Sequence, residues 1–135
     1  MQWSAQPNAG FTTGRPWLPI ASDAARLNVA HERNDPTSIL SLYRRLLALR
    51  REHSALTAGG YDAIGARGDV LVYVRSEGSD RCLAALNLGS SAESLSVPDG
   101  FRGGRVLVST GMDREDAQVG ETLELEADEG VVVAR

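Results

Sequence analysis

Hydrophobic and polar positions divide the chain into three stretches with different periods. Residues 1–34 show no sustained period: Trp3, Phe11, Trp17, Leu18, Ile20, Leu27 and Val29 are scattered among Pro7, Gly10, Gly14, Pro16 and Pro19. A loop this long is uncommon inside a compact domain and tends to be functional or to pack on a neighbour. Its aromatics set it apart from disordered sequence. Residues 35–56, DPTSILSLYRRLLALRREHSAL, carry the helical period. Asp35 is the expected N-cap and Pro36 the first helical residue. Arg50, Arg51 and His53 sit near the C-terminal turn, where the helix dipole favours cations, and Gly59 and Gly60 close the element.

At about 100° per residue, Ile39, Leu40, Leu42, Tyr43, Leu46, Leu47, Leu49 and Leu56 spread over an arc of about 200°. That is twice the stripe of an ordinary surface helix. Ser41, Arg44, Arg45, Ala48, Arg51 and Glu52 form the predicted wet side. Such a helix wants two apolar partners.

Residues 60–135 read as all-β. The predicted strands are 61–66, 70–76, 81–88, 93–97, 105–110, 122–127 and 131–135, with turns at EGSD (77–80), GSS (89–91), PDG (98–100) and DEG (128–130). VLVYV and CLAAL are continuous apolar runs, as expected of strands covered on both faces. TLELEA alternates, so Leu123 and Leu125 should be buried and Glu124 and Glu126 wet. Seven short strands at this spacing suggest an antiparallel β-sandwich or open barrel. The predicted fold is therefore α+β: an irregular segment and one long helix, followed by a β-sandwich domain.

Composition changes the picture little. The chain is 135 residues, 42% hydrophobic and 24% charged, as for a globular protein. Its net charge of −4 argues against a nucleic-acid surface. No run reaches the ~18 apolar residues of a membrane span, and the N-terminus has no signal-peptide pattern. The single cysteine, Cys82, lies in an apolar run, so it excludes a disulfide framework and reads as a buried thiol. A reducing, cytoplasmic setting is the expectation.

Candidate chemistry is sparse. His31 and His53 are the only imidazoles, and neither has a second His or Cys at ligand spacing, so no metal site and no cofactor are expected. There is no GxSxG nucleophile elbow, and GARGD and FRGGR read as turns. Glycoside hydrolysis needs two carboxylates whose environments differ. Asp113, Glu115 and Asp116 of DRED, with Arg114 beside them, read instead as a solvated loop. Glu121, Glu124, Glu126, Asp128 and Glu129 read as the wet side of a hairpin.

A resemblance emerges at Met1-Gln2-Trp3, Asn8-Ala9-Gly10-Phe11-Thr12 and Pro16-Trp17-Leu18-Pro19. These stretches resemble the segment after the last catalytic strand in α-glucosidases of the α-amylase superfamily, in the oligo-1,6-glucosidase and trehalose-synthase-like branch. The likeness continues through Asn28-Val29, Asp35-Pro36, Ser38 and YRRLLALRRE at 43–52, which resembles the closing helix of a (β/α)8 barrel. LAALNLG, RVLVSTGMDRE and LELEADEGVVVAR resemble strands of that family's C-terminal β-domain.

The resemblance implies a boundary near residue 58: the last loop and closing helix of the barrel over 1–58, and the C-terminal all-β domain over 59–135. It also implies that the family's three catalytic acids, its His-Asp pair and its arginine belong upstream, so this chain alone should be inactive. Only Gln2 and Trp3 are implied near the substrate pocket, at its rim or just behind it, with packing behind the barrel as the alternative for Trp3. The expected role is structural support of a barrel acting on α-glucosides. The expected partner is that barrel, or a second copy of the chain through residues 1–56. A carbohydrate-binding or assembly module is the alternative, with Tyr61, Tyr73 and Phe101 as the aromatics available for an α-glucoside ligand.

Overall fold

The computed structural model describes all 135 residues, apart from the side chains of Ala66 and Arg67. The chain forms two compact units, Met1–Arg44 and Arg45–Arg135.

The first unit is irregular, as its sequence implies. It holds a 3-10 turn at Pro7–Gly10 and a short helix α1 (Val29–Glu32), then enters the long helix α2 (Ile39–Glu52). Asn28 caps α1: its Oδ1 accepts from the His31 N–H at 3.1 Å. The long helix begins three residues later than the Asp-Pro signal suggests. Asp35 Oδ1 accepts from the N–H and Oγ1 of Thr37 in a local turn. Ser38 is the cap instead, its Oγ accepting from the Ser41 N–H at 3.2 Å. The helix also ends earlier than expected. His53 leaves helical geometry (φ −108°, ψ 111°), and a separate turn α3 (Ser54–Thr57) follows.

The apolar arc of α2 is mostly uncovered. Leu49 is buried, but Ile39, Tyr43, Leu46 and Leu47 are exposed, Ile39 to 69%. Part of the predicted wet side is the packed one: Ser41 and Ala48 are half-buried. Arg45 reaches the Leu107 carbonyl at 3.4 Å.

The second unit contains all seven predicted strands: β1 (Gly60–Arg67), β2 (Val70–Glu77), β3 (Asp80–Asn87), β4 (Glu93–Ser96), β5 (Arg105–Ser109), β6 (Thr122–Leu125) and β7 (Gly130–Ala134). They form a five-stranded sheet, β1-β2-β3-β7-β5, and a two-stranded sheet, β4-β6, with antiparallel pairing throughout. The register aligns Val74 with Leu83, Leu83 with Val133 and Val133 with Val106, so one face of the large sheet is continuously apolar. The core lies between this face and Leu123 and Leu125 of the small sheet, with Val97, Phe101 and Val119 filling its ends. Glu124 and Glu126 are exposed, as the alternation requires.

The opposite face of β2 and β3 is covered by α3, whose Ala55 is fully buried. Gly59 permits this contact, because a Cβ there would stand 2.4 Å from the Ala55 carbonyl oxygen. Among the described residues no helix is long and apolar enough to cross a membrane.

Candidate functional site

The clearest concavity in the first unit is built by residues 1–21, which surround an open cleft of about 570 Å³. Asn8 and Ala9 line it, and with Gly10 they form a stretch in which three successive residues take left-handed backbone angles (φ 56°, 54° and 66°). For residues other than glycine this conformation costs roughly 1–2 kcal/mol each. The Asn8 amide offsets part of that cost by donating to the carbonyls of Thr12 and Gly14 at 3.1 and 2.9 Å. The Ala9 carbonyl accepts from the N–H groups of Trp3 and Ser4. At Gly10 a Cβ would meet Ser4 Oγ at 2.6 Å, so that hydroxyl would have to move aside.

The turn therefore folds residues 2–4 back over residues 8–10. From the other side, the N–H groups of Val29 and Ala30 donate to the Gln2 and Trp3 carbonyls, both at 3.0 Å. Gln2 and Trp3 are thus held by their main chain on both flanks. Gln2 lines the cleft beside Phe11, Arg15, Trp17 and Ile20. Trp3 stands outside the lining and is 45% exposed. The walls are apolar and aromatic, with amide and guanidinium donors. No carboxylate is among the lining residues, so the cleft alone lacks the acid and nucleophile of glycosidic cleavage.

A second cluster, in the second unit, escaped the sequence reading. His53, at the break between α2 and α3, meets Asp80 at the start of β3, with Nδ1 and Oδ1 3.0 Å apart. The other Asp80 oxygen accepts from Ser54 Oγ at 3.2 Å and from the Ala55 N–H at 3.0 Å, which caps α3. The hydrogen bond from His53, then the one from the Ala55 N–H, hold the Asp80 carboxyl below its ordinary value. Cys82, two residues along the same strand, shares this face. Its side chain is buried as expected. Burial first, and the Asp80 charge second, push its thiol up to about 11. His53, Asp80 and Cys82 offer ligand atoms within 4.8 Å of one another. His53 and Asp80 are 27 residues apart in sequence, too far for spacing to link them.

The remaining candidates are structural. The His31 ring Nδ1 donates to the Arg26 carbonyl at 2.9 Å. In the DRED loop, Arg114 pairs with Glu129 at 3.1 Å and donates to the Glu124 carbonyl at 2.9 Å. Glu129 is therefore buried, contrary to its expected place on a wet hairpin, because Arg114 and the Glu126 N–H satisfy its oxygens. Glu115 accepts from the Ser109 N–H and Asp113 from Ser109 Oγ, so these acids brace the loop. Phe101 lies in the core under the Arg81 guanidinium and is no sugar platform. Tyr61 is exposed and stacks on half-buried Tyr73, with ring centres 5.2 Å apart.

The sequence pattern of the family described as "Alpha amylase, catalytic domain" matches residues 1–59. A probable α-glucosidase of Rhizobium meliloti is 35% identical over 98 residues, which are 73% of this chain and 18% of that protein. An oligo-1,6-glucosidase of Heyndrickxia coagulans is 38% identical over 100 residues, again 73% of this chain and 18% of the relative. The crystal structure of trehalulose synthase MutB from Pseudomonas mesoacidophila superposes with a TM-score of 0.89 at 34% identity, covering 98% of this chain and 24% of that one. The chain belongs to the α-amylase superfamily. Within it, the likeness runs to the oligo-1,6-glucosidase and trehalose-synthase-like branch. It spans less than a quarter of the length of these relatives.

Proposed function

We propose that this chain is the non-catalytic C-terminal portion of a glycoside hydrolase acting on α-glucosides, and that it supports the catalytic barrel. In this reading, residues 1–58 supply the last loop and closing helix of a (β/α)8 barrel, and residues 59–135 form the C-terminal β-domain. Gln2 and Trp3 lie at the rim of the substrate pocket. A cytoplasmic setting accompanies the reading and fits the free, buried thiol of Cys82.

The distribution of exposed apolar side chains carries the proposal. Of fourteen large hydrophobic residues left exposed, eleven lie between Met1 and Leu47. They fall within the stretch that matches the catalytic-domain pattern. Trp17 is 88% exposed, and Ile39, Tyr43, Leu46 and Leu47 form one stripe of α2. Fully burying one such side chain is worth ~1.5–3 kcal/mol. A surface of this kind is built to be covered. A partner barrel provides such a cover, and a (β/α)8 barrel presents its active site at one rim.

The chain alone should bind a hydrophobic dye and self-associate, and should not hydrolyse a nitrophenyl α-glucoside. Turnover that tracks the purified chain would overturn the non-catalytic role. A monomer that binds no dye would overturn the covering surface. The alternative, a sugar-binding module, rests on Tyr61 alone among the exposed β-domain aromatics. Absence of chemical-shift changes with millimolar isomaltose would end it.

A further inference from the structure

The trough formed by His53, Ser54, Thr57 and Asp80 has a feature that helix capping does not require. Capping α3 needs only the Asp80 carboxylate, yet an imidazole and a thiol stand at the same spot. We propose that His53, Asp80 and Cys82 form a binding site for a zinc-class divalent cation. The donor set combines imidazole, carboxylate and thiolate, the three ligand types that zinc accepts.

The spacing is close to what coordination demands. Zinc bonds of about 2.0–2.3 Å in a tetrahedron put neighbouring donors roughly 3.3–3.6 Å apart. His53 Nδ1 and Asp80 Oδ1 are already 3.0 Å apart. The thiol sulfur lies within 4.8 Å of the others and has to close by roughly 1 Å to complete a three-ligand set. The Asp80 carboxylate is held in place by Ser54 Oγ and the Ala55 N–H, the kind of outer hydrogen bonding that orients a ligating carboxylate.

Access is from one side. His53 and Asp80 side chains are 23% and 26% exposed and line an open trough that also carries Arg51 and Glu52, while Cys82 is buried behind them within 4.8 Å. Binding exchanges the His53–Asp80 hydrogen bond for two metal bonds. The imidazole binds in its neutral form with its proton on Nε2, and the thiol proton leaves to solvent as the Cys82 sulfur ligates. The dication offsets both effects that hold the thiol protonated, its burial and the adjacent Asp80 charge.

Cobalt(II) is the probe, because its thiolate complexes absorb by charge transfer. Titrating the metal-free chain should produce a thiolate-to-cobalt band that saturates at one ion per chain, with release of the thiol proton, and zinc should then displace the cobalt and abolish the band. Cys82→Ser should abolish the band. His53→Gln should abolish or greatly weaken it, while His31→Gln should leave it intact. His53 is partly exposed, so His53→Gln carries the test if Cys82→Ser fails to fold, as checked by its metal-free unfolding curve. Absence of a charge-transfer band, or a band unchanged in His53→Gln, would overturn the site.

Discussion

Replacing Asn87 with alanine should destabilise the second unit more than its small volume suggests. The side chain is fully buried at the end of β3. Its Nδ2 donates to the carbonyls of Ser91 and Glu126, both at 2.8 Å, and its Oδ1 accepts from the Gly89 N–H at 3.0 Å. One amide therefore ties together the chain leaving β3 and the turn before β7. Each such bond contributes about 1 kcal/mol net, and a buried group left without a partner costs about 1–3 kcal/mol. Three lost bonds predict a loss of about 3 kcal/mol, with more if water cannot enter.

For a unit of 91 residues, 1 kcal/mol moves the melting point by roughly 4–8 °C. The expected drop is thus on the order of 12–24 °C. The assay is thermal and urea unfolding of the wild type, Asn87→Ala and Asn87→Asp. The aspartate keeps the acceptor for Gly89 but turns an oxygen toward two carbonyls, so it should be no better than alanine. A loss below about 1 kcal/mol, or an aspartate that restores stability, would refute the bonding account.

Removing Arg114 should cost about 2 kcal/mol, because the buried Glu129 carboxyl is left with the main-chain donor of Glu126 as its remaining partner. Glu129→Gln should restore part of that loss in the double variant, as urea midpoints will show. The Asp80 carboxyl is held below its ordinary value of 3.8, so the stability it contributes is present above that pH and lost as pH falls through the lower folded value. Protection of the Ala55 amide against hydrogen exchange should therefore fall in acid, and Asp80→Asn should flatten that dependence. Ile39→Asn with Leu47→Asn should reduce dye binding and self-association while leaving the unfolding free energy of the β-unit within about 0.5 kcal/mol, since both side chains are exposed. A β-unit that unfolds in that variant would show the stripe to be internal packing.

The β-unit was legible in the sequence because its signals are local. Alternation in TLELEA, continuous runs in VLVYV and CLAAL, and Gly- and Asp-bearing turns located seven strands. The helix ends were not legible for the opposite reason. Asp35-Pro36 is a sound start signal, yet the Asp35 side chain is consumed by Thr37, and Ser38 takes the cap. His53 breaks the helix because Asp80, far along the chain, supplies a cap for the next turn. Burial of Glu129 likewise depends on Arg114, fifteen residues away. The His53, Asp80 and Cys82 cluster exists only once β3 lies beneath α3. In the first unit, the motif residues Asn8, Ala9 and Gly10 stood out in the sequence, but their left-handed turn and its hold on residues 2–4 did not.

The central claim is that this chain is a supporting portion of a barrel enzyme. The Rhizobium relative makes the scale concrete: 98 residues are 18% of it, so it is about 540 residues long, four times the present chain. The most direct test is an immunoblot of source cells with an antibody to the β-unit. The account predicts a native product about four times heavier than 14.4 kDa, and a single product at 14.4 kDa would contradict it.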